Sequence, residues 1–242
     1  MLLVHETAAD RTVWDAVGDA LSAGTRAIAY DRRGWGETSA PDDYRRTTVE
    51  EQSEDAAALI EAAGAAPAVV VGAGIGAMVA LDLLLRRPDL LAATVLIEPP
   101  VLQLVPMATE ALSQDRQRLE IAAGGGESVI DLYLSGGLPA LGAGVRRLPE
   151  PLVAAARERP GSLIAELGIA TGWRAPLTSL AAAEHPSAIV TATSTPALLR
   201  DAAGALDTHL AGATAVELDS GEALPQLGAA GDVAALARSV SR

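Results

Sequence analysis

Four ionisable residues stand where short apolar runs of the chain end. His5 and Glu6 follow MLLV, Glu98 closes TVLIE, and Glu222 lies just past TAVEL. A histidine beside carboxylates suits proton transfer near neutral pH, because imidazole titrates there and a neighbouring acid tunes it. Each residue also has a plainer use. For His5 it is a hydrogen bond to loop backbone, for Glu98 a structural contact ahead of Pro99 and Pro100, and for Glu222 a place in a solvated turn. Between these residues runs VVVGAGIGAM (69–78). Gly72, Gly74 and Ala77 fit G-x-G-x-x-G/A, the turn that lets a helix N-terminus approach a dinucleotide pyrophosphate. Glu98 then falls about where a ribose-binding acid belongs. Two features oppose the nucleotide reading: the turn follows the third apolar run instead of opening the fold, and the pattern downstream of Glu98 breaks.

Other residues are candidates for holding a ligand. Arg32 and Arg33 follow Asp31, which fixes a turn. Arg33 would meet an anionic group, with a surface ion pair as the alternative. Glu6, Trp35, Tyr133 and Trp173 would line a pocket, against ordinary packing for the aromatics; packing is also the reading for Trp14. His185 precedes Pro186 just before an apolar run, and His209 sits in a helical stretch. Three histidines without paired spacing, and no cysteine, offer no metal site. No cofactor is expected.

Composition narrows the classes. The chain has 242 residues, enough for one α/β domain with a sizeable core. With three Trp, three Tyr and no Phe, its core and pockets must be aliphatic. A net charge of −13 argues against a nucleic-acid partner, since phosphate backbones attract basic surfaces. No apolar run reaches the roughly 18 residues of a membrane span, and no basic region precedes the first apolar run. The expectation is a cytoplasmic protein with a small, mostly apolar ligand, pairing into a homodimer being left open.

The positioning elements follow from periodicity. Apolar runs at 1–5, 26–30, 68–72, 94–98, 187–192 and 214–218 are continuous, as in strands buried on both faces. Helical patterns lie between them: Trp14, Val17 and Leu21; residues 47–64, opening on Thr and acids and closing on Gly; and residues 77–87, stopped before Pro88. Strand–helix alternation predicts a doubly wound, mainly parallel sheet of about six strands. The rhythm breaks at 100–184, where helical fragments, the GGG of 124–126 and several prolines intervene. This stretch is expected to be a helical cap over a core of 1–99 and 185–242.

VHETAADRTVWDAVGDAL, AIAYDRRGWGETSAP, VVVGAGIGA and VLIEPP together resemble the α/β-hydrolase fold family across residues 1–242. DRRGWGETSAP matches the family's D-x-R-G-x-G-x-S loop and is the most specific piece. The resemblance implies that Gly72 to Gly76 form the family's G-x-S-x-G elbow, with Gly74 in place of the nucleophilic serine. It likewise sets Ser194 or Thr195 at the acid's place and Glu222 at the histidine's. All three triad positions are then substituted, and Ser–His–Asp acyl transfer is excluded by the usual route. The oxyanion hole needs only backbone N–H groups, carried over to Thr7 and Ile75. The family's first two strands have no counterpart ahead of MLLVH, so either the start lies upstream or the sheet is trimmed to six strands. The implied function is a non-hydrolytic lyase, cyclase or isomerase. It would use that hole with a proton carrier among His5, Glu98 and Glu222. The rivals are a binding or scaffold pseudoenzyme, a hydrolase with carboxylate-activated water, and the nucleotide site.

Overall fold

The computed structural model describes residues 1–124, 128–141, 148–222 and 224–240. The first half alternates strand and helix. β1 (Leu2–Val4), α1 (Asp15–Leu21), β2 (Ile28–Tyr30), α2 (Val49–Ala62), β3 (Ala68–Ala73), α3 (Ile75–Arg86) and β4 (Leu91–Ile97) follow in order. An inserted helical stretch comes next: α4 (Ala108–Ala123), α5 (Val129–Leu134), α6 (Glu150–Arg157), α7 (Pro160–Glu166), α8 (Ile169–Gly172) and α9 (Leu177–Ala181). Alternation then resumes through β5 (Ser187–Ala192), α10 (Ala197–His209), β6 (Ala213–Leu218), α11 (Pro225–Gly228) and α12 (Ala230–Ser239). The strands form one parallel sheet in the order β2-β1-β3-β4-β5-β6.

Continuous apolar strands make sense here because helices cover both faces of the central sheet. Leu2, Val4, Val70, Leu96 and Ile189 pack with residues of α2, α3 and α10 in one core. Their neighbours Leu3, Val69, Val71, Val95 and Val190 pack with α1 and α12 in the other. The edges depart from the expected two-sided burial. Only Leu218 of β6 is buried, and all three residues of β2 are half-buried. An edge strand has a neighbour on one side only and reaches past the covering helices.

Element ends carry local signals. α2 opens with a capping box in which Thr48 Oγ1 accepts from the Glu51 N–H while Glu51 Oε2 accepts from the Thr48 N–H. α3 starts at Ile75, two residues earlier than the pattern at 77–87 suggests, directly on the glycine turn. β4 starts at Leu91 and stops at Ile97, which leaves Glu98 outside the strand at φ 47°. Of the GGG at 124–126, Gly124 caps α4, and Gly125 and Gly126 lie outside the described residues.

The inserted helices pack onto loops that follow β1 and β2. Leu132, Tyr133, Leu138 and Leu163 share a third apolar cluster with Ala8 and Trp35. Among the described residues, no helix is long and apolar enough to cross a membrane.

Candidate functional site

The glycine turn between β3 and α3 brings three loops together. Gly76 has no room for a side chain: a Cβ there would lie 2.1 Å from the Val4 carbonyl oxygen. α3 therefore starts hard against the end of β1. Gly74 sits at φ 52° and ψ −118°, a conformation that L side chains rarely adopt. A Cβ on Gly74 would lie 2.8 Å from Glu6 Cβ, closer than real carbon neighbours stand. Glu6 Cβ thus crowds the place where a residue-74 side chain would begin.

A cavity of about 90 Å³ opens beside this turn, at the carboxyl ends of β1, β3 and β4. Such ends are where open parallel sheets bind ligands. Glu6, Thr7, Gly74, Ile75 and Glu98 line its floor. Tyr133, Leu141, Glu166, Ile169 and Ala170 of the inserted stretch supply a facing wall, with Leu199, Leu224, Pro225 and Gln226 beside them. Most of the wall is aliphatic, as the shortage of aromatics requires. Among the described residues, no serine, cysteine, histidine or basic side chain lines it, and no cluster of histidine and carboxylates is placed to hold a metal ion.

Three carboxyl groups line this cavity, those of Glu6, Glu98 and Glu166. Glu98 is 6% exposed, and its Oε1 accepts a 2.5 Å hydrogen bond from Thr195 Oγ1. Thr195 in turn accepts from the Ala192 N–H, which fixes its hydroxyl. Glu6 is 9% exposed. Its Oε2 accepts from Gln226 Nε2 at 2.8 Å, and among the described residues its buried Oε1 has no hydrogen-bond partner. Burial pushes the Glu6 carboxyl up to about 7; the nearby charge of Glu98 adds to this, while Gln226 and Arg32 oppose it.

His5 is not available to carry protons, contrary to its candidacy. Its Nε2 accepts from the Arg32 N–H at 3.0 Å, so Nδ1 holds the proton and donates to the Glu6 carbonyl at 2.8 Å. Both ring nitrogens are thereby committed to backbone. Complete burial, with the Arg32 charge alongside, holds its pKa well below the ordinary histidine range. The ring ties the loop after β1 to the loop after β2 and stays out of the cavity lining.

The adjacent arginines part company. Arg33 forms the surface ion pair, with Asp55 at 2.8 and 2.9 Å, and does not reach the cavity. Arg32, by contrast, is 1% exposed. Its guanidinium meets Glu166 at 2.5 and 3.1 Å, Gln52 at 2.5 Å and the His5 carbonyl at 2.8 Å. Glu166 also accepts from Thr7 Oγ1 at 2.7 Å, Trp35 Nε1 at 3.0 Å and Gln52 Nε2 at 3.2 Å. Burial alone would raise its carboxyl; Arg32 and these donors hold it below the usual range.

The remaining predicted residues divide likewise. Tyr133 lines the cavity, its hydroxyl near Thr7, and burial raises it. Trp35 is spent on Glu166, and Trp173 donates from Nε1 to Asp82 of α3 at 2.8 Å; neither lines the cavity. Glu222 is an exposed turn residue outside the lining. Ser194 only donates to the Glu222 carbonyl, at 2.6 Å, while its neighbour Thr195 makes the contact to Glu98. Gln226 and Glu166 escaped the sequence reading. Gln226 lies four residues past the conspicuous Glu222 and follows Pro225, a helix-start signal that marks a new element near the site. Nothing local marks Glu166, which sits at the end of a short helix.

The profile of the alpha/beta hydrolase family matches residues 1–236. The chain belongs to the alpha/beta hydrolase family. The glycine turn between β3 and α3 lies within the matched residues. Among curated proteins, the chain is similar to the uncharacterized hydrolase YraK of Bacillus subtilis, 32% identical over 105 residues. That match takes in 43% of this chain and only 39% of YraK. Among solved structures, MenH from S. aureus matches with a TM-score of 0.74 at 13% identity, covering 97% of this chain and 90% of MenH. A thermophilic esterase from Thermogutta terrifontis matches with a TM-score of 0.73 at 22% identity, covering 98% and 87%. At these identities the two structures speak for the fold alone.

Proposed function

We propose that this family member works without a Ser–His–Asp triad, as a non-hydrolytic enzyme that moves a proton on a small, mostly apolar molecule held beneath a helical cap formed by residues 100–184. In this reading Gly74 takes the nucleophile's place, Ser194 the acid's and Glu222 the histidine's. What supports it is one juxtaposition: Glu98 and Glu6 share an aliphatic cavity from which hydroxyl–imidazole pairs are missing among the described residues. Glu98 is the remaining proton acceptor of the three candidates. Its backbone is held at φ 47°, a strained setting that proteins retain where surrounding structure demands it.

The step is the removal of a proton next to a carbonyl. The C–H bond breaks, the proton passes to Glu98, and the electron pair moves onto the carbonyl oxygen. Backbone N–H groups of Thr7 and Ile75 receive that oxygen, and the Ile75 N–H, at the first position of α3, has no partner within the helix. The positive end of the α3 dipole adds to the stabilisation. Return of the proton to the same or a neighbouring carbon gives exchange, isomerisation or elimination without a covalent intermediate.

Cyclopentanone in D2O, followed by proton NMR, tests this. The protein should accelerate α-hydrogen exchange, and Glu98→Gln should abolish the acceleration with the fold intact. Binding of the ketone without any accelerated exchange would favour a pseudoenzyme that binds but does no chemistry. Ester hydrolysis lost in Glu98→Gln, without exchange, would favour water activated by that carboxylate.

A further inference from the structure

Two buried side chains meet in the cavity wall, and each leaves one oxygen without a donor. Glu6, in the loop after β1, accepts at Oε2 from Gln226 Nε2 of α11 at 2.8 Å. Its Oε1 is buried and has no partner among the described residues. Gln226 is completely buried, and its Oε1 is likewise without a partner among them. Buried polar atoms are nearly always paired, so two orphans on one hydrogen-bonded pair of side chains call for a common explanation.

A carboxylate can only accept hydrogen bonds, and so can an amide oxygen. While Glu6 is charged, neither oxygen can satisfy the other. One proton removes both defects. A neutral carboxyl offers an O–H and a C=O; a carboxamide offers N–H and C=O. Side by side they close a ring of two hydrogen bonds, in which the observed amide N–H bond is answered by an acid O–H. Both oxygens are out of contact with solvent, so the proton would serve the partner side chain and not a ligand.

We propose that Glu6 holds a proton on Oε1 and donates from there to Gln226 Oε1, making a reciprocal acid–amide pair that latches α11 to the loop after β1. Leu224, Pro225 and Gln226 line the cavity, so the latch makes one of its walls proton-dependent. The groups around Glu6 act in both directions. Arg32, in the loop after β2, and Gln226 favour its charged form; Glu98, after β4, opposes it. Tyr133 of α5 and Glu166 of α7 line the same cavity, and Glu6 helps to raise Tyr133. Burial exceeds all of these and brings the Glu6 carboxyl up to about 7. A glutamate in an opened segment titrates at about 4.3. The closed pair thus keeps a proton that the open one releases. Its stabilisation is fully present below about 4.3 and is lost as pH rises through about 7. The latch does not depend on the reaction assigned to Glu98.

NMR of the whole protein tests this, following the 13C shifts of the Glu6 carboxyl and the Gln226 carboxamide from pH 5 to pH 9. Both should move with one midpoint near 7. The backbone amides of Leu227, Gly228 and Ala229 donate within the α11 turn. Their hydrogen exchange, normalised to intrinsic rates, should rise about tenfold between pH 6 and pH 8.5, as the shift of the Glu6 carboxyl requires. Glu6→Gln supplies an N–H in place of the O–H at every pH, so exchange there should stay slow at both values. A Gln226 signal that ignores the Glu6 titration, a Glu6 midpoint in the ordinary glutamate range, or turn exchange indifferent to pH in the parent would each overturn the proposal. So would a Glu6→Gln protein whose turn exchanges fast at both values. None of these readouts involves a substrate, so the proposed chemistry can fail without touching them.

Discussion

Glu6 and residue 74 compete for one volume, and this shapes what each can be. A Cβ on residue 74 would stand 2.8 Å from Glu6 Cβ, so a serine there would force the Glu6 backbone or the turn itself to shift. His5 shows the opposite situation, a residue suited to chemistry but consumed by structure. Its folded-state pKa is depressed, so the imidazole is neutral in the folded protein and takes up a proton more readily when unfolded. The stability it confers is therefore present above the unfolded value of about 6.5 and lost as pH falls below it. His5→Ala should cost about 2–4 kcal/mol at pH 8, since it strands the Arg32 N–H and opens a void. It should also flatten the acid limb of the stability curve, as urea unfolding from pH 8 to pH 5 would show. Exchange per folded molecule should stay at the parental level. Neither fact was visible in the sequence: HET reads equally well as a catalytic or a structural histidine until the position of Arg32 is known.

Among the elements, α7 matters most to the site. It delivers Glu166, which anchors Thr7, Trp35, Gln52 and Arg32 at once and so joins the inserted helices to the loops after β1 and β2. Thr7, one of the proposed backbone donors, is held by this contact. Breaking a buried pair leaves the other charge uncompensated, which costs about 3–5 kcal/mol. Glu166→Gln should destabilise the protein by about that amount. Hydrogen exchange should show the loss concentrated in α7 and the 31–37 loop, with β3 and β4 still protected. Sequence could place α2, because Thr48 and Glu51 announce its first turn locally. It could not place the work of Glu166, whose partners lie 114 to 159 residues away.

At the scale of the whole molecule, 31 acidic residues outnumber 18 basic ones and leave a net charge of −13. Self-repulsion of that size opposes compactness and is screened by salt. The melting temperature at pH 7.5 should rise between 20 and 300 mM NaCl, more than it does at pH 5, where carboxylates begin to be neutralised; differential scanning calorimetry would record both.

The sequence alone determined the parallel sheet, its six strands and the glycine turn, since each follows from nearest-neighbour chemistry. Continuous apolar runs require cover on both faces, and only glycine fits where α3 begins against β1. It also located the loops in which the site lies. Which side chains enter the cavity was decided only by tertiary structure. Glu98 reaches it through a left-handed backbone and a threonine 97 residues away, and Glu6 through an amide 220 residues away. Glu222, equally polar and equally near a strand end, remains in solvent, and Arg33 turns to Asp55 instead. Carboxyls differ in proton affinity through burial and partners, and neither is written in the residue type.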